Sequence, residues 1–399
     1  MPYYIGDVIK DEKRLVARTP EKFRESGIDV RLRTRVDDID AEERVVRLSD
    51  KSILSYDILV FATGTTPFVP PIPGIDLDGV FTLKKLTDAL RIKTYLRERQ
   101  CRKAIIIGAG FIGMEMTEAF RSLGIETTIV HRGTAPVNRW DPELSNMILE
   151  ELDRHDVPFL TRAEIVSIDK GRDFPLRLNT SKGELEADLI LVALGIRPDV
   201  KLARDMGIQI GRTGAIQVNF SQQTSREDVY AVGDCCEVFN RISKKWVHVP
   251  LGDIANKQGR VAGRNISGSP IIFPGIVGAQ SFRIFNLELA AAGISEREAT
   301  ESGFHPVSSV TWGNALAGPM PDQKRVGLKL VSDRSTGRLL GVQAVGETGV
   351  VGRVNALSVA LWSGMRIDEI AYLDFAYAPP FSGPWDVIHS AAQTLMRKM

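Results

Sequence analysis

Gly108, Gly110 and Gly113 stand in G-x-G-x-x-G spacing. An apolar run, Ala104 to Ile107, precedes them, and Phe111, Ile112, Met116, Ala119 and Phe120 follow at helical spacing. Strand, glycine turn and helix in that order form an anion site. The turn lets the backbone approach a pyrophosphate, and the helix N-terminus offers free N–H groups and a positive dipole end. A second strand-like run, Glu126 to Val130, completes the unit. It ends in His131 and Arg132, where a dinucleotide's ribose would lie. An acidic residue there accepts from both ribose hydroxyls, whereas a cation suits a 2′-phosphate, so the pair points to NADPH, with Arg139 a second cation in reach. Asp234, straight after Gly233 and the short strand Val229 to Val232, is another candidate. A carboxylate at a strand's carboxyl end can accept hydrogen bonds from a polyol.

The elements that must position these residues repeat. YDILVFATGTTP, from Tyr56, and ADLILVALGIRPD, from Ala187, share a preceding hairpin, an aspartate, an apolar strand, a glycine exit and a proline. This reads as two copies of the second half of a dinucleotide-binding fold. The hairpins are Arg44 to Leu48 with Ser52 to Tyr56, and Leu176 to Asn179 with Glu184 to Glu186. Ile28 to Leu32 and Gly214 to Phe220 alternate like strands, and Ala255 to Ile266 has helical spacing. After Ile271 the texture changes. Ser309 to Trp312, Val326 to Val331 and Leu339 to Val345 predict an antiparallel sheet, and Arg353 to Trp362 and Arg366 to Tyr372 predict helices. The copies are uneven. The second has its glycine-rich half at Gly108, but only Met1 to Gly6 precede the first helix-like stretch, which runs on through Thr19 to Phe23. Such a half takes on the order of 30–50 residues, so the pattern predicts a chain short of that part.

Composition bounds the function classes. A length of 399 residues suits two or three domains, and a formal charge of +1 argues against nucleic acid as the main partner. No apolar run reaches the roughly 18–20 residues of a membrane span, and the opening residues lack the order of a signal peptide. Three cysteines, Cys101, Cys235 and Cys236, cannot make a disulfide framework, and the adjacent pair lacks metal-ligand spacing. A reducing cytoplasm and no metal are expected.

The order of motifs resembles a family. ATG at Ala62, GAGFIGME at Gly108, ALGIRP at Ala193, TSREDVYAVGD at Thr224, PLGDIANKQGR at Pro250 and AYAPPFS at Ala376 together look like the flavin-dependent pyridine nucleotide-disulfide oxidoreductases. The likeness spans the chain and is strongest to the single-cysteine branch, which includes coenzyme A disulfide reductase, NADH oxidase and NADH peroxidase. PYYIG at Pro2, RTPEKF at Arg18 and the closing AYAPPFS favour the coenzyme A disulfide reductase-like members.

The resemblance implies an α/β fold: two Rossmann-like FAD/NAD(P)-binding domains of the three-layer ββα type and a C-terminal α+β dimerisation domain. The FAD domain would take residues 1–69 and 199–271, the NAD(P) domain 70–198 and the dimerisation domain 272–399. It implies FAD held by Gly233 and Asp234 at the ribityl chain and by Ala62, Thr63 and Gly64 near the adenylate, with Pro250 and Leu251 over the isoalloxazine. NADP, or NAD, would lie on Gly108 to Gly113, with Glu115 and Gly195 toward the nicotinamide. Tyr377 is the candidate catalytic residue, on a loop that in the family reaches a partner's cleft, so a homodimer is implied. The implied activity is hydride transfer from NAD(P)H to flavin and on to a thiol disulfide such as coenzyme A disulfide. NADH oxidase or peroxidase activity, polysulfide reduction, a ferredoxin-reductase-like role and an inactive truncated nucleotide-binding dimer stay open.

The chain also departs from the family pattern. The family's redox cysteine lies just before the PYYIG segment, and both that thiol and the flavin's own glycine motif are expected to be missing here. Cys235 and Cys236 are expected in the core. Where the family often has a Tyr-Tyr-Pro-Gly run, this chain reads Thr311-Trp312-Gly313-Asn314.

Overall fold

The near-continuous apolar runs become a buried parallel sheet. The computed structural model describes residues 1–399, and five strands line up in the order Val80–Phe81, Leu189–Val192, Lys103–Ile107, Glu126–Val130, Phe159–Leu160, all parallel. Strands buried on both faces need no polar alternation, hence KAIII and LILV. Helices Leu86–Glu98, Phe111–Ser122 and Pro142–Arg154 connect successive strands. Asp88 fixes the start of the first, accepting from the N–H groups of Lys84 and Lys85 at 2.9 and 2.7 Å.

The chain forms two units: Met1–Ile9, Pro67–Gly195 and Val277–Met399 in one, Lys10–Thr66 and Ile196–Ile276 in the other. Besides the parallel sheet, the first unit holds a five-stranded antiparallel sheet. Its order is Gln280–Ile284, Leu287–Gly293, Leu339–Gly346, Arg325–Asp333, Pro306–Asn314, and the helices Val350–Ser363 and Val387–Met396 follow it. Polar contacts tie this sheet to the segment before Pro142–Arg154. Trp140 Nε1 donates to the Ala344 carbonyl at 3.1 Å, and the Asp141 N–H to Gln343 Oε1 at 2.7 Å. Lys329, 4% exposed, lies 2.8 Å from Asp141, 3.2 Å from Glu143 and 3.7 Å from Glu296. Burial opposes its charge, but the carboxylates outweigh burial and hold its pKa above the usual lysine value.

The second unit contains a three-stranded antiparallel sheet, Val36–Asp40, Val45–Leu48, Ile53–Ser55, and a parallel pair, Leu59–Phe61 with Val229–Ala231. Phe61, Ile216, Val218, Val229, Cys235 and Cys236 share its core.

Two expected strands do not form. Ile28 to Leu32 has no ladder partner, and Ile28 and Leu32 are 50% and 60% exposed. Alternation alone does not make a strand where no neighbour accepts its backbone groups. Gly214 to Phe220 makes only isolated bridges, from Ile216 to Ile210 and Cys236. Asn219 Oδ1 instead accepts from the N–H groups of Ser221 and Gln223, turning the chain away from a ladder. The expected hairpins form, as Val45–Leu48 with Ile53–Ser55 and Leu176–Thr180 with Gly183–Ala187.

Candidate dinucleotide sites

In the first unit the three motif glycines sit in three different environments. Gly108 has φ +109°, and a Cβ there would lie 2.4 Å from the Ala193 carbonyl oxygen. This glycine packs the turn against the exit of the neighbouring strand, where Gly195 follows. Gly113 faces the Gly108 carbonyl, which a Cβ would meet at 2.2 Å. Gly110 caps the helix Phe111–Ser122 with no side chain, and nothing lies within 4 Å of where its Cβ would be. An open glycine at an uncapped helix N-terminus leaves N–H donors for a phosphate, so the turn fits a dinucleotide. The side chain of Phe111 packs edge-on against Trp140 and Phe282, so only its backbone serves the turn.

His131 and Arg132 follow the strand Glu126–Val130. The imidazole is half-buried over Gly133, where a Cβ would come within 2.6 Å of Nε2, and that nitrogen is buried without a partner. Burial, then the Arg132 charge, pushes the His131 pKa below its usual value, while a backbone hydrogen bond at Ala135 pulls it up. Arg132 is exposed. The structure brings a second arginine to this turn beside Arg132. Arg162 is exposed, and its N–H donates to the Gly133 carbonyl at 3.0 Å while Ala163 N–H donates to His131 O at 3.1 Å. The sequence offered no sign of Arg162 because it lies 30 positions on, at the end of the edge strand Phe159–Leu160. Arg139 is engaged elsewhere: it pairs with Glu298 at 3.0 Å and donates to the Gly293 carbonyl.

Glu115 sits one turn into the helix Phe111–Ser122, beside Pro2, Tyr3 and Glu118. Burial raises its pKa, the Met1 ammonium lowers it and Glu118 raises it further.

In the second unit Gly64 has φ +70° and open space at its Cβ position. Thr63 Oγ1 donates to the Asp199 carbonyl at 2.6 Å, and Asp199 N–H to Gly64 O at 2.9 Å. Thr65 Oγ1 is buried without a partner. Gly233, φ +77°, and Asp234 follow the strand Val229–Ala231, the parallel neighbour of Leu59–Phe61 that leads to Ala62. His248 Nε2 donates to the Asp234 carbonyl at 2.7 Å, which ties the Pro250–Leu251 segment to the same end of the pair. Gln258, a residue the sequence reading passed over, accepts from the Gly233 N–H at 2.9 Å and donates to Glu237 O at 3.2 Å. Open glycine, carboxylate and orphaned hydroxyl at the carboxyl ends of two parallel strands fit a dinucleotide with a polyol chain. Cys235 and Cys236 are buried beside them. Hydrogen bonding from the Cys236 thiol, then from the backbone N–H groups of Gly64 and Thr63, outweighs burial and brings Cys235 down to about 6, while Cys236 is pushed up. Tyr377 lies in the first unit, on an exposed loop.

A parallel sheet with a glycine turn, a matching strand pair with glycine and aspartate, and an antiparallel C-terminal domain define a dinucleotide-dependent oxidoreductase. The chain belongs to the pyridine nucleotide-disulphide oxidoreductase family, whose model matches residues 4–259, followed by that family's dimerisation domain over residues 279–387. It is 38% identical over 398 residues to the CoA-dependent NAD(P)H sulfur oxidoreductase of Pyrococcus abyssi, covering 99% of this chain and 88% of that protein. It is 30% identical over 397 residues to the coenzyme A disulfide reductase of Staphylococcus haemolyticus, covering 98% and 88%. Among solved structures, the NAD-dependent persulfide reductase from A. fulgidus matches with a TM-score of 0.95 at 35% identity, covering 100% of this chain and 75% of that one.

Proposed function

We propose that this protein is an FAD-dependent, NADPH-preferring oxidoreductase that reduces a thiol disulfide or persulfide of the coenzyme A type. One observation carries the reading: each unit presents an open strand-exit glycine, Gly110 with its helix N-terminus in one and Gly64 with Asp234 in the other. Two dinucleotide cradles of different chemistry suit a relay from nicotinamide to flavin. Bound there, the flavin supplies the two-electron carrier between nicotinamide and acceptor. The chain's own residues bind and orient: Gly108 to Gly113 take the NADPH pyrophosphate, Glu115 and Gly195 lie toward the nicotinamide, and Gly233 and Asp234 take the flavin polyol. We assign residues 70–198 to the nicotinamide domain, 1–69 with 199–271 to the flavin domain, from which Met1–Ile9 depart to pack in the first unit, and 272–399 to the domain through which two copies pair. Free cysteines and the absence of any helix long and apolar enough to cross a membrane are in keeping with a cytoplasmic enzyme. The acceptor follows from the relatives' names and from a basic stretch, Lys10 to Arg35, able to attract a phosphorylated thiol.

The FAD-loaded protein should oxidise NADPH faster with coenzyme A disulfide or polysulfide than with oxygen alone. Oxygen-only turnover at the same rate would favour the NADH oxidase reading and sink this one. For the cofactor, Arg132→Ala should weaken NADPH binding about tenfold and leave NADH within about twofold, one charged contact's worth. Arg162→Ala should weaken NADPH by a smaller factor. Equal affinities for the two nucleotides in wild type would overturn the preference. Light scattering should give a dimer at micromolar concentration, and a monomer would remove the pairing.

A further inference from the structure

The loop that carries Tyr377 is held from outside by a buried polar network. Arg353, Asp386 and His389 are 8%, 8% and 6% exposed. Arg353, in the helix Val350–Ser363, grips both oxygens of the Asp386 carboxylate, through Nε to Oδ1 at 3.1 Å and Nη2 to Oδ2 at 2.7 Å. Its Nη2 also donates to the Ala315 carbonyl, and Nη1 to the Gly349 carbonyl, each at 3.1 Å. Asp386 Oδ1 accepts the Ile388 N–H at 3.0 Å, capping the helix Val387–Met396. The Asp386 N–H donates to His389 Nδ1 at 3.1 Å, so the ring proton is on Nε2, which donates to the Leu373 carbonyl at 2.7 Å. Ala317, two residues past the carbonyl that Arg353 holds, donates its N–H to the Pro379 carbonyl at 3.0 Å.

These bonds fasten residues 373–386 at both ends and in the middle. Between the anchors, Tyr377 is 53% and Phe381 76% exposed. A buried ion pair is a poor source of stability, because desolvation offsets most of its attraction. What the bidentate fork does supply is a fixed angle and distance. Seen in that light, the network sets geometry for an exposed loop that packs little of its own surface.

We propose that Arg353 is a positioning residue of the disulfide-reducing reaction: through Asp386 and Ala315 it fixes the loop that presents Tyr377 to the acceptor. The inference rests on the reading of Tyr377 as an acceptor-facing residue. Lysine at 353 keeps the charge but loses the fork, so the anchor slackens without leaving a buried carboxylate unpaired.

The test uses the FAD-loaded protein in four forms: wild type, Arg353→Lys, Asp386→Asn and Tyr377→Phe. Arg353→Lys should raise the KM for coenzyme A disulfide about tenfold, since small misplacements of a positioning group are costly. The KM for NADPH and the rate with an artificial acceptor such as ferricyanide should not move. Chymotrypsin should cut at Tyr377 and Phe381 about tenfold faster than in wild type, because cleavage follows local opening. Asp386→Asn, which removes the other half of the fork, should act in the same direction, and it also serves if the lysine variant folds poorly. If Tyr377→Phe loses disulfide turnover while Arg353→Lys and Asp386→Asn match wild type in KM and cleavage, the inference fails and the reading of Tyr377 survives. If Tyr377→Phe is as active as wild type, the reading of Tyr377 fails and the inference falls with it.

Discussion

The strand Leu189–Val192 lies between two parallel neighbours, Val80–Phe81 and Lys103–Ile107, and all four of its residues are buried. Its counterpart in the repeat, Leu59–Phe61, has one parallel neighbour, Val229–Ala231, and Val60 is 41% exposed. The exits are alike: Gly195 and Gly64 have φ +103° and +70°, with nothing within 4 Å of either Cβ position. The two copies therefore share a local grammar and differ in what surrounds it. Burial of an apolar strand is a property of its neighbours, whereas the conformation of its exit is a property of the glycine.

The largest expected contrast is between glycines. Gly108→Ala adds a Cβ against the Ala193 carbonyl at a φ that side chains avoid, and should destabilise the protein by about 3 kcal/mol or more. Gly64→Ala meets open space and should cost about 1–2 kcal/mol, the left-handed backbone alone. Urea denaturation of both variants measures the difference, and equal shifts would erase the distinction. Next come the strands. Ile190→Ala should cost about 2–5 kcal/mol and Val60→Ala less than about 0.5 kcal/mol. A comparable loss at Val60 would mean that something covers that strand.

Ion pairs follow the same division. Lys329→Met leaves Asp141, Glu143 and Glu296 facing one another and should cost about 2–3 kcal/mol, softened because the three carboxylates keep some water. Arg226→Gln in the second unit breaks pairs with the exposed Glu42 and with Asp228, and should cost about 1 kcal/mol or less. Thermal melts of the two variants rank them, and a larger loss at Arg226 would reverse the comparison.

The smallest effect is a titration. In the first unit Cys101 is pushed up to about 11, by burial and then by Asp188. In the second, Cys235 is brought down to about 6. Its sulfur also lies 3.3 Å from the Val232 carbonyl and 3.6 Å from the Phe61 carbonyl, contacts that favour the thiol. The donors from Cys236 and from the Gly64 and Thr63 backbone outweigh those two acceptors and decide the direction. Thiolate absorbance near 240 nm should rise with a midpoint close to pH 6, vanish in Cys235→Ser and persist in Cys101→Ser. No rise below pH 8 in wild type would mean that the carbonyl contacts win.

Much of the architecture was readable because its signals are short-range. The Gly108 to Gly113 turn, the hairpin around Asp50 and the apolar strand at Leu189 each specify themselves within about ten residues. Ile28 to Leu32 misled because alternation says nothing about whether a partner strand exists, and Gly214 to Phe220 because the Asn219 side chain outcompeted a ladder. The antiparallel strands Gln280–Ile284 and Leu287–Gly293 went unread. In the second of them small residues, Ala290 to Gly293, stand where larger strand formers are the usual signal.

The sites divide in the same way. By itself the sequence determined which backbone turns can approach a phosphate, because glycine spacing encodes a conformation, and which strand end carries cations instead of an acid, because His131 and Arg132 are adjacent to it. Only the tertiary structure decided that Arg162 joins that turn, that Arg139 is taken up by Glu298, that Gln258 backs Gly233, and that Arg353 reaches across to hold the Tyr377 loop. Each of these depends on a contact between residues from 25 to 159 positions apart. Such contacts are made when separate elements pack, and no local pattern of residues records them.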